Sequence, residues 1–315
     1  MIARNLVWLL ASCAFLVSCG GGDSSAPPPT GGTPTPTPSP TPTPTPTPSY
    51  VAFNEFDKDV DFDTSCNGYY RPAPGDAPVS LTDLAFGSGL PIGYRAATDS
   101  YVVTGQELEY IFGPEDRRTS SDGRSDIYSE GVDLTLTLGP RDAEYARSMF
   151  LLAVSNAIPY QIVECVLGVP TQPGDLPEED RSYETLLLGG SASRNSMSYD
   201  LSASTVNASY DANGKTISLR VGVAGRRTSY SAGEPEDPNV YTLGEFEGTA
   251  SVTGSESSFL GSISSPVSSE VTGSFGGSLF GPRGQEVALA FKFGGSGSDG
   301  ARFSGRGTLV MRAAN

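Results

Sequence analysis

Apolar and polar residues alternate through most of the second half of the chain. The clearest example surrounds Asn213-Gly214, a dipeptide that favours a tight hairpin turn. Val206, Ala208 and Tyr210 precede this turn, and Ile217, Leu219, Val221 and Val223 follow it. A period of two residues is typical of a strand with one buried face, so this stretch predicts a β-hairpin.

Similar runs, separated by turn-forming residues, bring the number of predicted strands to eight. They cover residues 182–190, 196–210, 217–223, 243–253, 257–264, 269–280, 285–294 and 301–312. Eight antiparallel strands linked in order can close on themselves. The face that carries Phe275, Phe291, Phe293 and Phe303 is apolar, whereas the opposite face is Gly, Ser, Lys and Arg. A membrane barrel needs an apolar outer band with aromatic girdles, so we predict a water-soluble β-barrel over residues 176–315.

The preceding region, residues 50–175, has a less regular pattern. Val132, Leu134, Leu136 and Leu138 alternate with polar residues and predict a strand. Residues 145–154 predict a short helix, because Tyr145, Met149 and Leu152 would share one face. We therefore expect a mainly β protein, in which a smaller, irregular, β-rich, handle-like region precedes the barrel.

The N-terminus has the features of an export signal. Arg4 is followed by an apolar stretch, residues 6–15, and then by Leu16-Val17-Ser18-Cys19. The last four residues fit a lipobox, which predicts that residues 1–18 are removed and that Cys19 carries acyl chains such as palmitate. An ordinary secretory signal is the alternative, although its usual A-x-A-like site is absent here. By resemblance to bacterial lipoproteins, Gly20 after the cysteine implies sorting to the outer membrane.

A proline-rich segment, residues 19–49, follows the predicted lipid anchor. Thr and Pro alternate from Thr33 to Pro48. Such a segment favours polyproline II at about 3.1 Å per residue, so some thirty residues would reach roughly 90 Å. We interpret it as a semi-rigid tether; a docking site for a proline-recognition module is the alternative.

Composition excludes several classes of chemistry. The chain has no histidine, which removes Ser-His-Asp and Cys-His arrangements and the usual zinc sites. Its net charge of −16 makes nucleic acid a poor partner. These absences favour a non-enzymatic protein without a cofactor or a metal.

Cys66 and Cys165 are the two cysteines that remain after signal removal and lipidation. Two thiols in an oxidising compartment most simply pair, so they are a disulfide candidate; two separate buried thiols are the alternative. Asp57, Asp59, Asp61 and Asp63 occupy every second position. They lack the Gly and Glu spacing of an EF-hand loop, and a solvated acidic edge is the preferred interpretation over a calcium site.

One segment carries a resemblance to a known family. The residues Gly277-Ser278-Leu279-Phe280-Gly281-Pro282-Arg283-Gly284-Gln285-Glu286 resemble the G-x-F-Y-G-P-x-A-x-E hairpin of transferrin-binding protein B-like surface lipoproteins. Pro282 suits the second position of a type I turn and Gly284 the fourth, while Phe280 would close the barrel wall. A second match comprises Gly168-Val169-Pro170-Thr171 and Asp175-Leu176-Pro177, with Tyr183 beyond them.

The resemblance implies a handle followed by a barrel, displayed on the cell surface and capturing an extracellular protein or solute. In that family, host-protein contacts lie largely in loops of the handle and of the barrel cap. We therefore expect an outer-membrane, surface-exposed, lipid-anchored binding protein that passes its ligand to an outer-membrane receptor. A structural or assembly lipoprotein facing the periplasm is the first alternative, and a hydrolase that uses a carboxylate pair is the second.

Overall fold

The structure is a computed structural model that describes residues 49–314, except 71–76, 78, 82, 105–108, 132, 155–160, 231–233, 254–255 and 298–299. The predicted signal peptide, Cys19 and the tether up to residue 48 lie outside the described residues. The described residues all belong to one compact unit, Thr47–Asn315.

The described residues form twenty strands, two short 3-10 turns and no α-helix. The first eleven strands are β1 (Val60–Phe62), β2 (Ser65–Tyr70), β3 (Val79–Leu81), β4 (Ile92–Arg95), β5 (Ser100–Thr104), β6 (Glu109–Phe112), β7 (Arg117–Thr119), β8 (Asp126–Glu130), β9 (Leu134–Gly139), β10 (Ala146–Ala153) and β11 (Gln161–Gly168). The remaining nine are β12 (Arg181–Arg194), β13 (Met197–Asp200), β14 (Thr205–Asp211), β15 (Thr216–Arg227), β16 (Val240–Ser251), β17 (Ser258–Ser265), β18 (Ser268–Phe280), β19 (Glu286–Ser296) and β20 (Arg302–Ala313). The 3-10 turns are Pro114–Asp116 and Pro282–Gly284. The described part of the chain contains no helix with the length and hydropathy needed to cross a membrane.

These strands form three antiparallel sheets. A four-stranded sheet has the order β1-β4-β5-β6, and a seven-stranded sheet has the order β3-β2-β11-β10-β9-β8-β7. We call β1–β11 the handle. The third sheet contains β12 to β20, and pairing between β12 and β20 closes eight of its strands into a ring. The mainly β fold and the eight antiparallel strands of the closed sheet are confirmed.

The ring has the eight strands predicted, and a ninth strand lies beside it. Its region holds nine strands, because the single strand predicted for residues 196–210 divides into β13 and β14. Asp200 Oδ1 accepts a hydrogen bond from Ser202 N at 2.9 Å, and Ser204 N donates to Leu201 O. This side-chain turn redirects the backbone, so β13 pairs with β12 and β15 and lies outside the eight-strand circuit.

The hairpin predicted around Asn213-Gly214 is confirmed as β14 and β15. Its loop has four residues, since Asp211 pairs with Thr216. Asp211 Oδ1 accepts the N–H groups of Asn213 and Gly214 and so organises the loop.

The interior of the ring is a continuous apolar core. Phe246, Phe293 and Phe303 stack within it, with ring centroids 4.4 Å apart for the first pair and 5.0 Å for the second and third. Gly305 provides the space for this stack, because a Cβ there would lie 2.3 Å from the Phe293 ring. The predicted inward direction of Phe275, Phe291, Phe293 and Phe303 is correct.

The predicted helix at residues 145–154 is wrong, because this segment is strand β10. Met149, Leu151 and Ala153 lie in the handle core, while Ala146 and Ser148 are buried on the opposite face. A strand buried on both faces loses its period-two pattern. Pairing with β9 on one side and β11 on the other overrides the helical spacing.

Cys66 on β2 and Cys165 on β11 lie directly opposite each other, and a disulfide joins them. Both side chains are buried in the core between the two handle sheets. The bond therefore ties together two neighbouring strands, the second and third of the seven-stranded sheet.

The seven-stranded sheet has two covered faces. One face packs against the four-stranded sheet, and the other covers the outside of the ring at β19 and β20. Ala146 and Val166 contact Ala288 and Val310 across this junction. Ser148 Oγ and Thr308 Oγ1 are 2.8 Å apart, so the junction mixes small apolar contacts with hydrogen bonds.

Glu164 and Asn67 are neighbours on the face of β11 and β2 that covers the ring. Asn67 Nδ2 donates to Gly307 O at 2.8 Å and to Phe291 O at 3.3 Å. Glu164 is only 8% exposed, and its Oε2 has no hydrogen-bond partner among the described residues. Burial raises the pKa of Glu164 to about 7, and the charge of Arg306 only partly opposes this rise.

The raised pKa of Glu164 predicts that the protein is more stable in mild acid. The folded state favours the protonated carboxyl, so this stabilisation is fully present below about pH 4.3 and is lost as the pH rises through about 7. Glu164→Gln should therefore have a free energy of unfolding about 2–3 kcal/mol above that of the native chain at pH 8, and a similar one at pH 4.5. Urea unfolding at the two pH values measures the difference.

Glu270→Gln is the matched control, because Glu270 is an exposed carboxylate on β18. It should leave the pH dependence of stability unchanged. Identical pH dependence in Glu164→Gln and in the native chain would contradict the assignment.

Candidate functional site

The hairpin that resembles the lipoprotein family lies at the junction between the ring and the handle. Gly277 and Phe280 belong to β18, Gly281 and Pro282 to the turn, and Glu286 begins β19. The expected type I turn is wrong, because Arg283 adopts a left-handed φ of 51°. Phe280 is fully buried and packs edge-on against Phe86 of the handle at 5.6 Å. It seals the junction and does not point into the ring core.

Gly281 allows the handle to approach the turn closely. Its φ is 68°, and a Cβ at this position would lie 2.2 Å from the ring of Tyr145. Gly281 N donates to Val169 O, and Thr171 Oγ1 donates to Gly281 O at 2.7 Å. The two segments that resemble the family are thus bound to each other.

Glu286 is a buried anchor. Its carboxylate is completely buried and accepts backbone N–H groups of Glu144, Tyr145 and Ala146 at 2.7, 2.8 and 2.9 Å. Arg312 on the neighbouring strand lies 3.1 Å from Glu286 Oε1. Every contact of this carboxylate is inside the protein, so Glu286 joins the ring to the handle and is not available to a ligand.

The aspartates considered for calcium are all exposed. Asp61 forms an ion pair with Arg95 at 2.7 Å, and Asp59 Oδ1 accepts the N–H of Ala96. Among the described residues, no group of three Cys, Asp or Glu side chains is placed to hold a metal ion.

The end of the ring farthest from this hairpin exposes apolar side chains. Its described residues are the turn 195–196, residues 228–230 and 234–239, the turn 266–267, and residues 297, 300 and 301, with the strand ends beside them; we call them the distal end. Four of the eight exposed large hydrophobic residues identified in the described chain lie here: Met197 (37% exposed), Val240 (49%), Tyr241 (38%) and Val267 (76%). The exposed Arg226 lies opposite Val240.

At the distal end, the described residues 228–230 and 234–239 are held by hydrogen bonds and an ion pair among themselves and the ends of β15 and β16. Arg227 binds Glu234 through two contacts, of 2.6 and 3.1 Å, and its guanidinium lies 5.1 Å from the centre of the Tyr230 ring. Tyr230 OH donates to Arg227 O and accepts the N–H of Asp237. The pKa of Asp237 is lowered, chiefly by the hydrogen bond that it accepts from Tyr241 OH. A loop fixed in this way presents Tyr241 in a defined position.

Sequence reasoning did not identify the distal end. Its exposed apolar residues lie at strand ends, where they look like continuations of the alternating pattern. One local feature of the sequence could have indicated this surface. Val240 and Tyr241 follow an acidic, proline-containing segment, and both are exposed at the start of β16.

The chain is similar to solved structures of transferrin-binding protein B. For a mutant of that protein from Haemophilus parasuis Hp5, the identity is 12%, the TM-score is 0.46, and the match covers 81% of this chain and 45% of the other. For the isotype 1 protein from serogroup B Neisseria meningitidis, the identity is 9% and the TM-score is 0.39, and the match covers 82% of this chain and 77% of the other. For a structure described as a surface lipoprotein, the identity is 10% and the TM-score is 0.36, and the match covers 79% of this chain and 98% of the other.

The chain spans about half the length of the Haemophilus parasuis protein. No protein-family model matches the sequence, and no curated protein matches it. At these identities and TM-scores, the likeness concerns the general arrangement of strands and assigns no ligand. At that level, the resemblance predicted from the hairpin is confirmed.

Proposed function

We propose that this chain is a lipid-anchored binding protein of the outer membrane, displayed at the cell surface, that captures an extracellular protein through the distal end of its ring. Cys19 supplies the anchor and residues 19–49 supply the tether. An outer-membrane receptor that accepts the captured ligand is the further partner. The protein is not an enzyme in this proposal.

The exposed side chains of the distal end carry the proposal. Protein interfaces are enriched in aromatic residues, Met and Arg, and depleted of Lys and Glu at their centres. Met197, Tyr241 and Arg226 provide this composition at one end of the ring. The edge-on contact between Tyr199 and Tyr241, at 5.8 Å, fixes the aromatic group and lowers the entropy lost on binding.

The position of the handle on the ring supports the distal end as the binding surface. The predicted tether precedes the handle, and the handle covers the ring near its hairpin end. The buried cluster that joins the handle to the ring contains no described residue of the distal end, which leaves the exposed side chains of that end available to a partner.

Protease shaving separates surface display from the periplasmic alternative. Intact cells treated with a protease that does not cross the outer membrane should lose residues 49–315, and Cys19→Ala should release the protein from the membrane fraction. A periplasmic protein is the control and should survive until the membrane is breached. Cleavage of this chain only after the breach would contradict surface display.

Substitution at the distal end should abolish capture without unfolding the protein. The variant Met197→Ser with Tyr241→Ser removes two exposed apolar contacts, and we expect at least tenfold weaker retention of the partner captured by the native full chain from host or environmental fluid. Ile111→Ser is the matched control, because Ile111 is 56% exposed on the handle. Equal loss in both variants, or no loss in the distal variant, would overturn the assignment of this surface.

A further inference from the structure

The handle encloses a cavity of about 250 Å³ between its two sheets. Aromatic rings form much of the wall: Phe53 and Phe56 from the segment before β1, Tyr94 from β4, Tyr101 from β5 and Tyr128 from β8. Phe53 and Tyr101 are nearly parallel, with centroids 6.4 Å apart, and Tyr101 meets Tyr128 edge-on at 5.6 Å. This volume suits a single-ring solute better than a drug-sized molecule.

A buried guanidinium lies in the wall of this cavity. Arg147 is 2% exposed, and its guanidinium lies 4.6 Å from the centre of the Phe53 ring. Nη1 donates to Ala143 O and Ala146 O, and Nη2 donates to Asn54 Oδ1 at 3.1 Å. Three of the five N–H groups are thereby used, and the part of the chain that the structure describes provides no partner for Nε–H or for the second Nη2–H.

Arg147 has no direct counter-ion among the described carboxylates. Burial lowers the pKa of Arg147, but a guanidinium remains charged in proteins. A buried charge without a partner is costly, and an anion in the cavity would remove this cost.

The other charges of the cavity are already compensated. Asp126 binds Arg117 at 3.1 Å and Arg141 at 3.7 Å, and Asp99 accepts the Tyr94 hydroxyl at 2.9 Å. The cavity thus contains three arginines and two aspartates, a net charge of +1 in a chain of net charge −16. Arg117 and Arg141 are about 43–44% exposed, which places positive charge where a solute would enter.

Two phenolic hydroxyls add further donors. Tyr101 and Tyr128 are 8% and 5% exposed, and neither hydroxyl has a hydrogen-bond partner within the described ranges. Burial raises the pKa of Tyr128 to about 12 and raises that of Tyr101 further, so both hydroxyls keep their protons at physiological pH. Each can donate to an anion.

We propose that this cavity binds a small aromatic carboxylate, whose two oxygens accept hydrogen bonds from Arg147, Tyr101 and Tyr128 while its ring packs against Phe53 and Phe56. A guanidinium binds a carboxylate through two parallel N–H···O contacts, which matches the two unused donors of Arg147. The aromatic walls distinguish this ligand class from inorganic anions, which have no apolar body to bury. This site is separate from the distal end, and the two can be tested independently.

Calorimetric titration of the full chain in detergent tests the proposal, with benzoate as the probe. We expect saturable 1:1 binding of benzoate and at least tenfold weaker binding of benzyl alcohol, benzylamine and acetate, which each lack either the charge or the ring. Arg147→Met should weaken benzoate binding at least thirtyfold. The double variant Tyr101→Phe with Tyr128→Phe keeps both rings and removes only the two hydroxyls, so it should fold like the native chain. We expect it to bind benzoate at least tenfold more weakly.

Tyr110→Phe is the matched control. Tyr110 is a buried handle tyrosine whose hydroxyl also lacks a partner among the described residues, but it does not line the cavity. Its removal should leave benzoate affinity unchanged. The proposal is overturned if benzoate does not bind at 10 mM, if benzyl alcohol binds equally well, or if the double Tyr→Phe variant binds like the native chain.

Discussion

The rest of the structure depends on the buried carboxylate of Glu286. It lies at the start of β19, and it accepts three consecutive backbone N–H groups at the start of β10, with Arg312 beside it. Hydrogen bonds to a charged group contribute about 1.5–3 kcal/mol each. One side chain therefore fixes the position of a handle strand on the wall of the ring. Phe280 and Gly281 complete this contact by filling the junction and by allowing Tyr145 to approach.

This anchor explains how the molecule divides its surfaces. The seven-stranded sheet covers the outer face of β19 and β20 near the hairpin, and the buried cluster at this junction contains no described residue of the distal end. On its other face, the same sheet bounds the aromatic cavity through Tyr128 and Arg147. Arg147 follows directly after the three residues that donate to Glu286, so the anchor also sets the position of the guanidinium.

The alternation of apolar and polar residues was sufficient to predict the strands of the ring, but it did not predict the handle sheet that packs on β19 and β20. Alternation around Asn213-Gly214 and along β15 predicted strands whose inward residues are buried as expected. Residues 287–291 are apolar without interruption, as are residues 309–311, and in a strand such a run indicates burial on both faces. These two apolar runs could therefore have indicated that another sheet packs on the outside of β19 and β20. The segment 145–154 was misread as a helix for the same reason, since both of its faces are buried.

Charged residues limited the prediction of sites. Glu286, Glu164 and Arg147 are buried, yet a polarity pattern counts each of them as a surface residue. The role of Glu286 depends on backbone partners more than a hundred residues away in the chain. The role of Arg147 depends on the absence of a counter-ion among the described residues. The hairpin resemblance singled out Glu286 but carried no information about its partners. Only the three-dimensional arrangement shows that the motif is an anchor.

Native-state hydrogen exchange at the amides of Glu144, Tyr145 and Ala146 tests the anchor most directly. We expect these three amides to exchange only through global unfolding, with the same protection free energy as the core amides of β18 and β19, although Glu144 precedes β10 and lies outside the regular strand pairing. Exchange of these amides at the rate of surface loops, while the ring amides remain protected, would contradict it.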